Sequence, residues 1–421
     1  MRAQIAAVAL LVSLLATVAA HAQPLPAAKP EQVGLSSDRL GRIVTTLKTD
    51  VDKGLIPGAV LLVARHGKVA LFEAVGVRDP ETKAPMTKDA IFRIYSMTKP
   101  ITSVVTMALF EDGKLTLDQP VSRHIPALGG LKVGVEKDGA LELVPTRRDM
   151  TIQDLLRHTS GLTYGFFGAG LVKKAYVEAK PSNDNPSNAE LVERLGKLPL
   201  MHQPGTTWEY SYSTDVLGRV VEVVGGGSLL SVMKERVLAP LGMKDTSFYV
   251  TDRPRQERIV EPFANDRSIG VDATFFDPRV AQKWESGGGG LMSTAMDYAR
   301  FAQMLLNGGT LDGKRILGPR TVAYMTADHL GASIVPGSAY LPGPGFGFGL
   351  GFAVRKEAGV SPLAGSVGEV NWGGAGGTYF WIDPKEDLFV VYMMQSPKQR
   401  APYRAVLKDM VYAAITRPAA K

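Results

Sequence analysis

The chain has 421 residues, 45% of them hydrophobic and 21% charged, with 45 Gly and 27 Pro, which are the proportions of a globular protein and not of a disordered or collagen-like one. Its formal charge is +7, from 48 Lys and Arg against 41 Asp and Glu, spread without a run of five like charges, so nucleic acid, which wants a concentrated basic face, has no support. The absence of Cys removes disulfide scaffolds, thiol catalysis and Cys-ligated metal sites together.

At the amino terminus Arg2 precedes an uncharged apolar run over 5–18 and the small-x-small triplet Ala20-His21-Ala22. This is the pattern of a signal peptide cleaved after Ala22, and it predicts a periplasmic or secreted protein without stable membrane insertion after cleavage. The apolar run is shorter than the roughly 20 residues a membrane span needs; a retained anchor is the alternative. A Pro-rich stretch (Pro24, Pro26, Pro30) then leads to a helical pattern. Runs over 58–65 and 68–77, joined by His66-Gly67, predict a β-hairpin.

After Ser96-Met97-Thr98-Lys99-Pro100, apolar residues recur at Ile101, Val104, Val105, Ala108 and Leu109, a helical period that Gly113 closes. The middle of the chain predicts helices over 151–158, 188–195, 214–224 and 229–241, with one short hairpin near 131–144. Beyond the glycine run at 287–290 comes a helix over 294–306. Strand-like alternation follows over 345–352, and strands over 378–382 and 388–394 flank an Asp-Pro turn at Asp383-Pro384. The last helix spans 403–415. Strands at both ends with helices between predict an α/β (α+β) architecture, an antiparallel sheet built from both chain ends with an inserted, mainly helical domain. The expected division is a leader at 1–22, a discontinuous sheet domain at 23–115 and 285–421, and a helical domain at 116–284.

Ser96 and Lys99 carry the first chemistry, because residues three apart share a helix face and bring an ammonium within reach of a hydroxyl. A serine is a poor nucleophile until its proton is taken, and a tyrosine beside the lysine could complete the relay. Lowering a tyrosine from about 10 to about 7 takes roughly 4 kcal/mol. One ammonium at ~4 Å supplies about that much if the effective dielectric is ~20. Ser96 also stands at a helix start, where free N–H groups favour negative charge on oxygen. Pro100 disfavours helical angles at Lys99, which predicts an irregular strand-to-helix turn.

Residues 92–101, Phe-Arg-Ile-Tyr-Ser-Met-Thr-Lys-Pro-Ile, resemble the nucleophile segment of the serine β-lactamase and penicillin-binding-protein superfamily, most of all family VIII carboxylesterases and class C β-lactamases. The resemblance extends over nearly all of the chain past the leader, through Asp154 to Leu162, Pro240-Leu241-Gly242-Met243, the glycine run with Leu291-Met292-Ser293-Thr294, and Asp383-Pro384. It implies a β-lactamase-like fold with Tyr210 as general base. Tyr212 stands where β-lactamases carry an amide-holding asparagine. Trp372-Gly373-Gly374 stands where class C enzymes carry Lys-Thr-Gly, and the oxyanion hole falls to the backbone N–H groups of Ser96 and Ala375.

The missing lysine costs a partner for the carboxylate of penicillins and cephalosporins, since Trp offers bulk and one N–H. Neutral short-chain esters are therefore the expected substrates, with no cofactor and no metal. Glycines at 373 and 374 let the strand approach closely, and Tyr164, Phe166 and Phe167 are candidates for the acyl pocket. Taken singly, Tyr210 reads more readily as a packed aromatic, Trp372 as a core residue and Ser96 as a helix cap; together, their order along the chain favours catalysis, while His158 reads as structural. The alternatives are a β-lactamase or D-Ala-D-Ala carboxypeptidase using the same residues, with β-lactams as ligands, and a non-catalytic penicillin sensor. Neither Gly-x-Ser-x-Gly nor His-Glu-x-x-His occurs.

Overall fold

The computed structural model describes residues 24–267 and 277–417; the expected leader at 1–22 lies outside them. An eight-stranded antiparallel sheet takes strands from both chain ends. They are β1 (Gly58–Arg65), β2 (Lys68–Asp79), β3 (Ala84–Pro85), β4 (Phe346–Phe348), β5 (Ala353–Arg355), β6 (Val370–Gly373), β7 (Tyr379–Asp383) and β8 (Leu388–Met394), in the spatial order β4-β5-β6-β7-β8-β1-β2-β3. The first strand thus zips to the last, Val60 opposite Met393 and Leu62 opposite Val391.

The central strands are apolar on both faces because both are covered. Alternation sends Val60, Leu62 and Ala64 of β1, with Phe389, Val391 and Met393 of β8, into the large core. Ala59, Leu61 and Val63, with Val390, Tyr392 and Met394, enter a second core on the other face. Truncating a side chain so placed, for example Leu62→Ala, costs about 2–5 kcal/mol. The β1–β2 turn falls at His66-Gly67, where φ is 53° and 71°, the left-handed pair that a two-residue hairpin favours.

Helix α1 (Ser37–Asp52) begins at Ser36, whose Oγ accepts from the Arg39 amide at 3.3 Å, and buries Leu40, Ile43 and Leu47 at helical spacing. It shares the second core with the last helix. The large core gathers α2 (Thr98–Glu111), α3 (Ile152–Leu156), α4 (Leu171–Ala179), α5 (Asn188–Leu195), α6 (Ser213–Gly225) and α7 (Leu229–Met233). After α8 (Arg253–Gln256), α9 (Ala295–Leu306) returns to the sheet, α10 (Pro319–Met325) follows, and α11 (Arg400–Ala413) ends the fold. Among the described residues no single helix is long and apolar enough to cross a membrane.

Several expected elements differ in extent. The alternation over 345–352 is a strand only at Phe346–Phe348: it breaks at 349–352, where the Gly349 amide donates to the Phe352 carbonyl at 2.8 Å and Gly351 has φ 99°, and β5 starts beyond it at Ala353. Glycine at every second place imitates a pleat while also permitting a turn. The helix expected over 229–241 changes pitch, passing into a π-helical turn at Lys234–Leu238. The expected helix at 151–158 is cut to five residues, capped by the Thr151 hydroxyl on the Asp154 amide. The last helix starts three residues early, at Arg400.

Candidate active site

The segment that carries Ser96 is held between the sheet and the helices by backbone pairing. Phe92 and Arg93 pair antiparallel with Ser293 and Met292, and the Ile94 amide donates to the Leu291 carbonyl at 3.0 Å. Tyr95 then takes φ 45°, a left-handed angle costly for a non-glycine residue and common at functional turns. Ser96 follows in a single 3-10 turn, and α2 begins at Thr98. The expected irregularity therefore falls at Tyr95, not at Lys99, which sits inside α2 despite the proline after it.

Lys99 is only 2% exposed. Its Nζ donates to Ser96 Oγ at 3.3 Å, Tyr164 Oη at 3.2 Å and the Gly288 carbonyl at 2.7 Å. It also lies 4.5 Å from the centre of the Tyr210 ring, a cation–π distance. Among the described residues no carboxylate comes within ion-pair distance of it. Tyr210 Oη accepts from Trp372 Nε1 at 3.3 Å. Ser96, Lys99, Tyr210, Tyr164 and Trp372 are thus gathered from four separate stretches of chain.

Behind Lys99 stands an acid that sequence reading did not single out. Tyr164 Oη donates to Asp215 Oδ2 at 3.3 Å, while Asp215 Oδ1 accepts from Ser286 Oγ at 2.5 Å and the Gly288 amide at 3.1 Å. A Cβ at Gly288 would come within 2.4 Å of Asp215 Oδ2, so the glycine run serves close packing on α6. Burial pushes the Asp215 carboxyl up, opposed by the Lys99 charge and by these hydrogen bonds. Burial, and then Asp215, hold the Tyr164 hydroxyl well above the ordinary tyrosine range. An acid in the first turn of a helix reads as a partner for the dipole, which hid it.

His158 sits beneath Tyr210, ring centres 4.9 Å apart, with Nδ1 3.3 Å from Ser211 Oγ. Burial and the charge of Lys99 hold it well below its ordinary value, so it is neutral at pH 7. Glu209, adjacent to Tyr210, pairs with buried Lys173 at 2.9 Å and accepts from Thr163 Oγ1 at 2.9 Å, and Lys173 also donates to the Phe167 carbonyl. Burial alone would raise Glu209, yet His202, Lys173 and Thr163 together hold it below the ordinary range. This pair ties the loop bearing Tyr164, Phe166 and Phe167 to the stretch that carries Tyr210.

The remaining candidates divide. Half-exposed Phe166 stacks on Tyr164 at 5.0 Å, and Phe167 lies 5.8 Å from Tyr210. Tyr212 packs edge-on against Tyr164 at 4.6 Å, but its hydroxyl is within 3.1 Å of Ser182 Oγ and burial pushes it up to about 12. At Gly374 a Cβ would come within 2.5 Å of the Ile94 carbonyl, which is the close strand approach expected. At Gly373 the close neighbour is Arg404 Nη2 instead, at 2.3 Å from a Cβ. That glycine faces α11, away from Ser96, and the expected reason for it is corrected.

A family model described as Beta-lactamase matches residues 43–412. An uncharacterised protein of Mycobacterium tuberculosis is 39% identical over 353 residues, covering 82% of this chain and 87% of its own. Esterase EstB of Burkholderia gladioli is 32% identical over 381 residues, covering 85% and 91%. Among solved structures, EstCE1, described as a hydrolase with promiscuous acyltransferase activity, superposes with a TM-score of 0.75 at 29% identity, covering 89% of this chain and 99% of its own.

Proposed function

The chain belongs to the Beta-lactamase family and is a serine hydrolase of that fold, and from that premise we propose that it is a carboxylesterase acting on short-chain acyl esters. In this reading Tyr210, with Lys99 beside it, takes the Ser96 proton as Oγ attacks the ester carbonyl. The developing oxyanion meets the N–H groups of Ser96 and Ala375. The alcohol departs with the proton returned by Tyr210, leaving an acyl group on Ser96. A water that gives its proton to the same pair then attacks that acyl carbonyl, and the acid is released as Ser96 is reprotonated.

The observation that carries the reading is the buried ammonium of Lys99 within 3.3 Å of Ser96 Oγ, with no acid among the described residues bound to it. Tyr164 touches the same ammonium, but its proton is engaged by Asp215 and held there by burial, so it is the weaker base. Tyr210, whose oxygen accepts from Trp372, is the better one. The names of EstB and EstCE1 support ester chemistry. Trp372, in place of a cation, favours neutral esters over β-lactams, and the leader pattern before residue 23 supports export to the periplasm or medium.

Hydrolysis of p-nitrophenyl esters of increasing chain length, measured beside nitrocefin on wild type and Ser96→Ala, tests the reading. Ester turnover far above nitrocefin, highest for the shortest acyl groups and lost in the variant, is expected. Ester turnover that survives Ser96→Ala overturns the mechanism. Nitrocefin turnover equal to or above ester turnover moves the assignment to a β-lactamase or D-Ala peptidase, and stoichiometric acylation without release marks a sensor.

A further inference from the structure

Among the described residues Arg404 is a cation without a counter-charge. It projects from α11 under the turn after β6, where Nη2 donates to the Gly374 carbonyl at 3.4 Å and the guanidinium lies 5.3 Å over the Tyr379 ring. Among the described residues Nε has no hydrogen-bond partner. The ionisable neighbours acting on it are Tyr379, Arg400 and Tyr210, none of them a carboxylic acid. Burial presses its pKa down, yet an arginine stays charged in proteins. The residue is half-buried, so its charge has lost part of its solvation without gaining an anion, and Gly373 is what admits it, since a Cβ there would come within 2.3 Å of Nη2.

The Gly374 carbonyl also accepts from the Gly377 amide at 3.1 Å, so two donors fix the direction of that oxygen. The Gly374–Ala375 peptide is trans, which puts the Ala375 N–H on the opposite edge of the same rigid plane. We propose that Arg404 is a positioning residue for ester cleavage: by holding and polarising the Gly374 carbonyl, it aims the Ala375 N–H away from α11 and strengthens it as a donor to the oxyanion. The inference rests on the reading above, in which that N–H is one of the two oxyanion donors. A donor to the carbonyl end of an amide makes its N–H end more positive. The cation, the amide and the oxyanion then form one line in which charge developing on the substrate is met by charge already in place.

The test uses the full chain with p-nitrophenyl acetate as substrate and a phenylboronic acid as probe, because a boronate adds to a serine as a tetrahedral anion whereas KM follows the neutral ester. Arg404→Met is expected to lower kcat and boronate affinity together by about ten-fold. That is less than the hundred-fold or more of deleting a donor outright, because the N–H remains. KM and the thermal midpoint stay near wild type, and Arg404→Lys recovers part of the loss. Unchanged kcat and boronate affinity in Arg404→Met overturn the proposal, and so does a loss confined to KM and thermal midpoint. Should Arg404→Met not fold, Gly373→Ala displaces the guanidinium without removing it. The same paired loss is expected there, and its absence is equally decisive. If wild type fails to bind the boronate, or Ser96→Ala still turns over ester, the serine mechanism fails; if wild type passes both controls and the Arg404 variants match it, only this inference falls.

Discussion

Two of the buried lysines in this molecule are used in opposite ways. Lys99, on α2, is surrounded by a serine hydroxyl, a tyrosine hydroxyl, a backbone carbonyl and the face of Tyr210. Lys408, on α11, is 0% exposed, pairs directly with the equally buried Glu369 carboxylate and donates to the Ala364 carbonyl at 3.3 Å. Glu369 is further held by Arg355 at 3.5 Å, Asn371 Nδ2 at 3.2 Å and Tyr412 Oη at 3.5 Å. Burial pushes Glu369 up and Lys408 down, each opposed by the other's charge. The pair is neutral overall whichever partner holds the proton, and the charge of Arg355 beside it favours the ionised carboxylate. Around Lys99 the neighbours are hydroxyls, which both give and take protons, so the same residue type becomes chemistry in one place and a rivet in the other.

The contrast breaks first, and hardest, at Lys99. Lys99→Met should reduce ester kcat/KM by about ten-thousand-fold, the upper range for lost proton transfer, while urea unfolding shifts by less than about 1 kcal/mol. A large loss of stability would place Lys99 in the same class as Lys408. Lys408→Met should do the reverse, because it takes the nearest counter-charge from a buried carboxylate: about 3–5 kcal/mol of unfolding free energy is lost, with kcat per folded molecule unchanged. Adding Glu369→Gln to it should return part of that loss.

A buried acid held by neutral donors sharpens the comparison from the other side. Asp297, at the start of α9, accepts from the Asp245 amide at 2.8 Å and Thr246 Oγ1 at 2.9 Å, and burial raises it from 3.8 to about 6. A folded value above the unfolded one gives stability that is complete below about pH 3.8 and lost as pH rises through about 6, amounting to about 3 kcal/mol. Wild type should therefore lose stability relative to Asp297→Asn between pH 4 and 7, and parallel curves would contradict the shift. The smallest expected effect is at Trp372. Trp372→Phe removes the N–H that Tyr210 accepts, and should cost about ten-fold in kcat/KM, close to 1.4 kcal/mol, with little change in thermal midpoint.

Much of the frame was legible in the amino-acid order. The apolar runs of β1 and β8, the His66-Gly67 turn and α5 follow from local period and turn chemistry, which act over a few residues. The alternation at 345–352 misled because glycine has no side chain to declare a face. Ser96 and Lys99 were legible for the same local reason that made them chemically suggestive, their three-residue spacing across the turn that enters α2. Asp215 and Arg404 were not: an acid in a first turn and a base on a terminal helix look the same whether solvated or enclosed.

By itself, then, the sequence determined which elements form and placed a serine and a lysine three residues apart. Whether that lysine meets a carboxylate or a pair of hydroxyls was decided only by the tertiary structure, which brings Tyr164 and Gly288 to Lys99, and Glu369 to Lys408, from distant parts of the chain. The cost of a buried charge is set by desolvation and by the partners that remain once water is gone. Those are properties of what folds over a residue, and no stretch of neighbours in the chain contains them.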